Sequence, residues 1–164
     1  MGASVEVLSE GEELGEPVAD LLIKSSQLRG AMVAAEEVPS LIDEIPILAI
    51  LAARAEGETT FEGLGELRFK ESDRLGMLAD NLVGIGVEAR AEEDNLTVVG
   101  NSSRLSGLID THHDHRVAMA FSVLNRLPGV ELTLSETASP LVSYPMFYKH
   151  LDSVSPKCPT ASER

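Results

Sequence analysis

Lys70-Glu71-Ser72-Asp73-Arg74 sets two cations, two acids and a hydroxyl side by side near the middle of the chain. Side chains of these types can grip an oxyanion, move a proton, or do both. The run stands where a helix must begin. Leu75, Leu78, Ala79, Leu82 and Val83 behind it share one stripe at helical spacing. Ser72 and Asp73 suit the N-cap and the first-turn anion of that helix. Backbone N–H groups point outward at such a terminus, and anions collect there. The plainer alternative is a solvated helix start carrying surface ion pairs. A comparable arrangement recurs downstream, where Asp114-His115-Arg116 precedes the apolar stretch Val117 to Leu124.

Other groupings carry less. His112, His113, Asp114 and His115 invite a metal, but neighbouring side chains on an extended chain point to opposite faces. At most two of the four converge, short of the three or four ligands zinc needs, so no metal is predicted. The glycine fingerprints of phosphate-binding loops and dinucleotide folds are absent, as is the G-x-S-x-G of hydrolases. Asp43, ahead of an apolar helix, reads by itself as a cap.

The elements that must position these residues belong to a chain of 164 residues, 43% apolar, which suits one domain with a real core. A net charge of −14 argues against nucleic acid or an anionic membrane as partner, though not against a small anion met by local cations. Cys158 is the single cysteine, in a Pro/Ser-rich stretch, so no disulfide framework is expected. No apolar run is long enough for a membrane span, and no signal peptide follows Met1. These features predict a soluble protein of the cytoplasm.

In order, Val5 to Leu8 reads as a strand, Glu10 to Glu16 as an acidic loop, and Asp20 to Lys24 and Ala31 to Val33 as strands. Pro46 fits the first turn of a helix continuing over Ile47 to Ala55, apolar nearly all round and so buried on every side. Gly57 stops it, and Thr59 to Phe61 is a strand. After the amphipathic helix, Val87 to Ala91 and Leu96 to Val99 form a hairpin turned at Glu93-Asp94-Asn95. A Ser/Gly loop runs from Asn101 to Gly107. Val130 to Leu134 is a strand, and Ser143 to Val154 a second amphipathic stretch, with Phe147 and Leu151 four apart. Buried helix, strand, loop and amphipathic helix thus come twice, offset by about 71 residues, so that Leu48 falls on Met119 and Phe61 on Leu132. The expectation is α/β (α+β), tandem repeats of strands around buried helices over 1–154, and a disordered tail over 155–164.

Three islands together resemble the 5-enolpyruvylshikimate-3-phosphate synthase family: Leu41-Ile42-Asp43-Glu44-Ile45-Pro46, Glu66 to Arg74, and Asp114 to Ala120. The middle island resembles that family's own signature, with Phe69 where valine is commoner. Ser143-Tyr144-Pro145-Met146-Phe147 is similar as well. The related UDP-N-acetylglucosamine enolpyruvyl transferases fit less well, since the middle island is not theirs. The resemblance implies two similar domains in the whole enzyme, each made of strand-and-helix repeats. Met1-Gly2-Ala3 resembles an internal stretch, so this chain is expected to hold about two of three repeats of the C-terminal domain and none of the N-terminal one. Val142 stands where some branches carry a lysine.

The family transfers the enolpyruvyl group of phosphoenolpyruvate to the 5-hydroxyl of shikimate-3-phosphate and releases phosphate. Resemblance assigns Asp43, helped by Lys70, to the hydroxyl proton, and Glu71 to the methylene carbon. Arg74 and Arg116 would hold the carboxylate or phosphate of phosphoenolpyruvate, with Asp114 and His115 positioning Arg116. No cofactor is implied. The expected partners are the two substrates and either the missing N-terminal portion or a second copy of the chain. The alternative is a non-catalytic acidic module that keeps the fold and binds a partner chain.

Overall fold

The computed structural model describes residues 1–70 and 72–155. Glu71, Cys158 and all of the expected tail except Ser155 lie outside them.

Two strands open the chain, β1 (Ser4–Glu13) and β2 (Glu16–Lys24), paired antiparallel as a two-stranded ribbon. The acidic loop expected over Glu10 to Glu16 is instead the far half of this ribbon, turned at Leu14-Gly15. Both turn residues have positive φ, 53° and 87°, the geometry of a tight primed hairpin turn. Every residue of both strands is exposed. With no buried face the ribbon shows no inside–outside alternation and tolerates glutamates that would be excluded from a core. Ser9 donates from Oγ to Asp20 Oδ2 across it at 2.7 Å.

The body is built on a four-stranded sheet of β3 (Met32–Val33), β4 (Gly57–Phe61), β5 (Glu88–Glu92) and β6 (Asn95–Gly100), in spatial order β3-β4-β6-β5. Helix α1 (Ile45–Arg54) joins the parallel pair β3 and β4. It starts with Pro46 in its first turn, where the missing N–H is no loss. Burial on every side does not hold. Ile45, Ala49, Ile50, Ala52 and Ala53 face the core, but Leu51 remains 41% exposed because none of the described residues covers that face. At the helix's end, Gly100 of β6 lies so close that an added Cβ would sit 2.2 Å from the Ala55 carbonyl oxygen. Only glycine admits this approach.

A 3₁₀ turn over Gly65–Phe69 leads to α2 (Arg74–Gly84). The N-cap is Asp73 alone, whose Oδ1 accepts from the Gly76 N–H at 3.0 Å; Ser72 lies outside the cap. The stripe also departs from expectation. Leu75, Leu78, Ala79 and Leu82 are buried, but Val83 is 55% exposed while Met77 and Asn81 turn inward. The buried arc leans to the Met77 and Asn81 side because β7 (Leu105–Ile109) packs there, and Val83 falls past its other edge. Asn81 donates to the Asp110 carbonyl and accepts from the Asp110 N–H, each at 2.8 Å.

β7 replaces the end of the predicted Ser/Gly loop, starting at Leu105 and running parallel to β8 (Val130–Leu134). Helix α3 (His115–Leu124) joins the two. Just past it, Asn125 donates to the Leu132 carbonyl at 3.0 Å and accepts from the Leu132 N–H at 2.8 Å. The amphipathic stretch expected from Ser143 to Val154 is helical only from Phe147, as α5 (Phe147–Val154), and a short helix α4 (Ser139–Ser143) precedes it. Pro145 drives Tyr144 out of helical backbone, to φ −142° and ψ 80°, and the helix breaks there.

One hydrophobic cluster joins these parts: Ile45 and Ala49 of α1, Phe61 of β4, Leu67 of the 3₁₀ turn, Leu75, Leu78 and Leu82 of α2, and Val117 and Phe121 of α3. Each large side chain fully buried here contributes roughly 1.5–3 kcal/mol. The N-termini of α2 and α3 and the turn before α1 emerge from this cluster at one place, and the charged residues meet there.

Candidate functional site

Arg74 is the first residue of α2, yet its side chain is 1% exposed. Its Nε donates to Asp114 Oδ2 at 2.7 Å, and Asp114 is itself fully buried. Such a pair is tolerable only when both partners are further satisfied. Asp114 meets that condition as the N-cap of α3. Its Oδ1 accepts from the Arg116 and Val117 N–H groups at 3.0 and 3.2 Å, and Oδ2 from the Ser72 hydroxyl at 3.2 Å. One carboxylate thereby joins the starts of two helices.

Asp43 completes the arrangement from the turn before α1. Its Oδ1 lies 3.5 Å from Arg74 Nη1 and its Oδ2 3.1 Å from Arg116 Nη2. Arg116 Nη1 also donates to the Asp43 carbonyl oxygen at 3.0 Å and lies 3.9 Å from Glu44 Oε1. The side chains of Asp43 and Arg116 are 42% and 34% exposed, so this half of the cluster reaches solvent. It borders a cleft of about 220 Å³ lined by Asp43, Glu44, Pro46, Ile47, Arg116, Met119 and Phe147. Guanidinium forks at a cleft match carboxylate or phosphate oxygens.

The fold thus brings Asp43, Arg74 and Arg116 into one hydrogen-bonded group, across sequence separations of 31 and 73 residues. Lys70 is elsewhere engaged, with Nζ bonded to Glu66, its neighbour one helical turn back. The position and contacts of Glu71 lie outside the described residues. Arg68 ties the 3₁₀ turn down, pairing with Asp73 at 3.2 Å and donating to the Glu93 carbonyl in the β5–β6 turn. His112 faces Asp110 at 3.3 Å, while Asp114 is committed to Arg74, so the histidine run does not converge. Among the described residues no three His, Cys, Asp or Glu side chains come together in a way that would hold a metal.

Two participants have no role in the sequence-based expectation, Glu44 and Glu66. Glu44 approaches Arg116, and Glu66 holds Lys70, a pair that its i,i+4 spacing could have announced. Asp114, expected to position Arg116, meets it through the Arg116 N–H and bonds the side chain of Arg74 as well. Beside the cluster, Glu136 accepts from the Thr111 and Ser139 hydroxyls and from the Ala138 and Ser139 N–H groups. Burial pushes its carboxyl up, but those donors outweigh burial and pull it down to about 2.

Residues 1–151 match the sequence profile of the family described as EPSP synthase (3-phosphoshikimate 1-carboxyvinyltransferase). The chain belongs to the EPSP synthase family. It is 43% identical over 155 residues to the 3-phosphoshikimate 1-carboxyvinyltransferase of a Sulfurihydrogenibium species, covering 94% of this chain and 36% of that one. With its counterpart in Methylorubrum extorquens it shares 48% over 149 residues, covering 90% and 33%. The EPSP synthase structure from Acinetobacter baumannii superposes with a TM-score of 0.87 at 38% identity, covering 94% of this chain and 37% of that one. The mixed α/β fold is therefore that of an EPSP synthase, and the chain spans about a third of the length of the relatives it matches. No helix among the described residues is long and apolar enough to cross a membrane.

Proposed function

We propose that this chain supplies part of the active site of an enzyme that transfers the enolpyruvyl group of phosphoenolpyruvate to the 5-hydroxyl of shikimate-3-phosphate, releasing phosphate. The observation that carries the reading is the meeting of Asp43, Arg74 and Arg116 in one hydrogen-bonded group, with Asp43 and Arg116 lining a cleft, in a chain of this family. Arg74 and Arg116 bind the carboxylate or phosphate of phosphoenolpyruvate, Arg116 being the one within reach of solvent. Asp43 and Lys70 serve the hydroxyl of the sugar phosphate, which requires Lys70 to leave Glu66. Glu71 takes the methylene role by resemblance. The reaction is addition followed by elimination, with proton transfers at two centres and no metal or organic cofactor. We also read residues 1–154 as part of the enzyme's C-terminal domain. The strand–helix–strand units β3-α1-β4 and β7-α3-β8, each with a parallel strand pair, support two repeats.

Catalysis of this kind depends on holding two reactants in one closed space. A chain a third as long as its relatives presents one wall of such a space, so residues 1–164 alone should not turn over. The test is to join residues 1–154 to the remaining two thirds of the Acinetobacter baumannii enzyme and follow phosphate release from both substrates together. Release well above background supports the reading. A folded hybrid without activity would favour the non-catalytic module that binds a partner chain.

A further inference from the structure

The two carboxylates that meet the arginines are held very differently. Asp114 is fully buried, capped onto α3 and bonded to Arg74 Nε at 2.7 Å, so it has no room to leave. Asp43 sits on a turn, is 42% exposed, and among the described residues bonds through both carboxylate oxygens to guanidinium nitrogens. Those nitrogens are Nη2 of Arg116, which lines the cleft, and Nη1 of the buried Arg74 behind it. A carboxylate spanning two arginines in this way takes the place an oxyanion ligand would take.

We infer that Asp43 is the site's own resident anion, displaced from Arg116 by an incoming phosphate or carboxylate and freed by that displacement to act on the second substrate. This rests on the reading above that Arg116 and Arg74 receive an oxyanion. The bond from Arg116 Nη1 to the Asp43 carbonyl, at 3.0 Å, holds the guanidinium in place during the exchange. Asp114 keeps Arg74 fixed meanwhile. The exchange swaps one charge-assisted contact for another, so the site never holds two unpaired guanidiniums facing a low-dielectric wall. It also makes the anion site and the proton-accepting carboxylate mutually dependent, and the first ligand prepares the residue needed by the second.

The experiment titrates inorganic phosphate and phosphoenolpyruvate into residues 1–164 by calorimetry, comparing Asp43→Asn, Glu44→Gln and Arg116→Ala with the unmodified chain. Asp43→Asn removes the competitor and should tighten phosphate binding about tenfold. Glu44→Gln removes the same charge 3.9 Å from Arg116 without vacating the fork, and should change binding by no more than about twofold. Equal effects of the two would reduce the matter to general electrostatics and overturn the inference; so would unchanged or weaker binding by Asp43→Asn. A second measurement needs no variant. With ¹³C-labelled aspartate, saturation of the unmodified chain with phosphate should move the Asp43 carboxyl resonance toward that of a solvated carboxylate. A resonance that stays still while phosphate binds overturns the displacement even if the variant fails to fold. Failure of the underlying reading looks different. In that case Arg116→Ala binds the anions as well as the unmodified chain does, or none of the proteins binds them.

Discussion

The charged cluster at the starts of α2 and α3 and the β1–β2 ribbon are opposites in construction. The cluster is assembled from three segments remote in sequence, and at its centre an arginine and an aspartate are almost wholly removed from water. The ribbon is assembled from neighbours, and each of its residues is exposed. It is joined to the body at its base, where Ser4 N–H donates to Ser26 Oγ and Arg29 N–H to the Met1 carbonyl. Polar groups therefore weigh most on stability where the solvent is excluded. The same charges on the ribbon, such as Lys24 and Glu6 at 3.8 Å, add little.

The largest effect that could break this contrast is at Asp114. Asp114→Ala leaves Arg74 buried beside an empty space and uncaps α3, and should lower stability by about 3–5 kcal/mol in urea unfolding. A loss below about 1 kcal/mol would mean that the buried pair is not the keystone its geometry suggests. Next comes Arg116→Lys in the joined enzyme. It keeps the charge but loses the planar fork, so phosphoenolpyruvate binding should weaken by about 1.5–3 kcal/mol, read as a raised KM, with unfolding little changed. An effect on kcat alone would argue against a binding role.

Glu136 sharpens the comparison through pH. Its folded carboxyl lies at about 2, below the ordinary 4.5, so its contribution is complete above the ordinary value and lost as pH falls toward 2. Glu136→Gln should flatten the acid limb of the stability curve across that window and leave the neutral region's slope unaltered. An unchanged acid limb would show that the four donors do not act on its charge. The smallest effect belongs to the ribbon. Leu14 is fully exposed at a φ of 53°, a conformation that asparagine accepts more readily than leucine. Leu14→Asn should slow amide exchange in β1 and β2 by an amount corresponding to about 1 kcal/mol, with no change in the unfolding of the body. Left alone, an exposed ribbon bearing Val5, Val7 and Ile23 should associate at high concentration, visible by sedimentation.

What could be read in the sequence followed from locality. Pro46, Asp73 and Asp114 announce helix starts through side chains acting within a few residues, and the β5–β6 hairpin is marked by its turn at Glu93-Asp94-Asn95. The base of the ribbon reads as strands at Val5 to Leu8 and Asp20 to Lys24, but its far half stays hidden because strand patterning reports a buried face, and it has none. Val83 was misplaced because a stripe's edges depend on which neighbours pack beside it, and β7 lies some twenty residues further on. The amphipathic stretch begins at Phe147 and not Ser143 because Pro145 keeps the residue before it out of helical backbone. The contact of Asp43 with Arg116 spans 73 residues and has no local signature, so resemblance alone pointed to those residues.

The amide of Asn125 has a further consequence. In a parallel strand alternate residues direct both main-chain groups to the same side, and Leu132 directs its pair away from β7, to Asn125. The middle of that open edge thus meets a neighbour with its donor and acceptor already taken. A foreign strand docking along β8 would first have to evict a side chain that imitates a strand residue at both positions. Fibril-like growth from this edge therefore faces a kinetic obstacle supplied by one asparagine, and removing its amide would unlock the edge while leaving the core packing as it is.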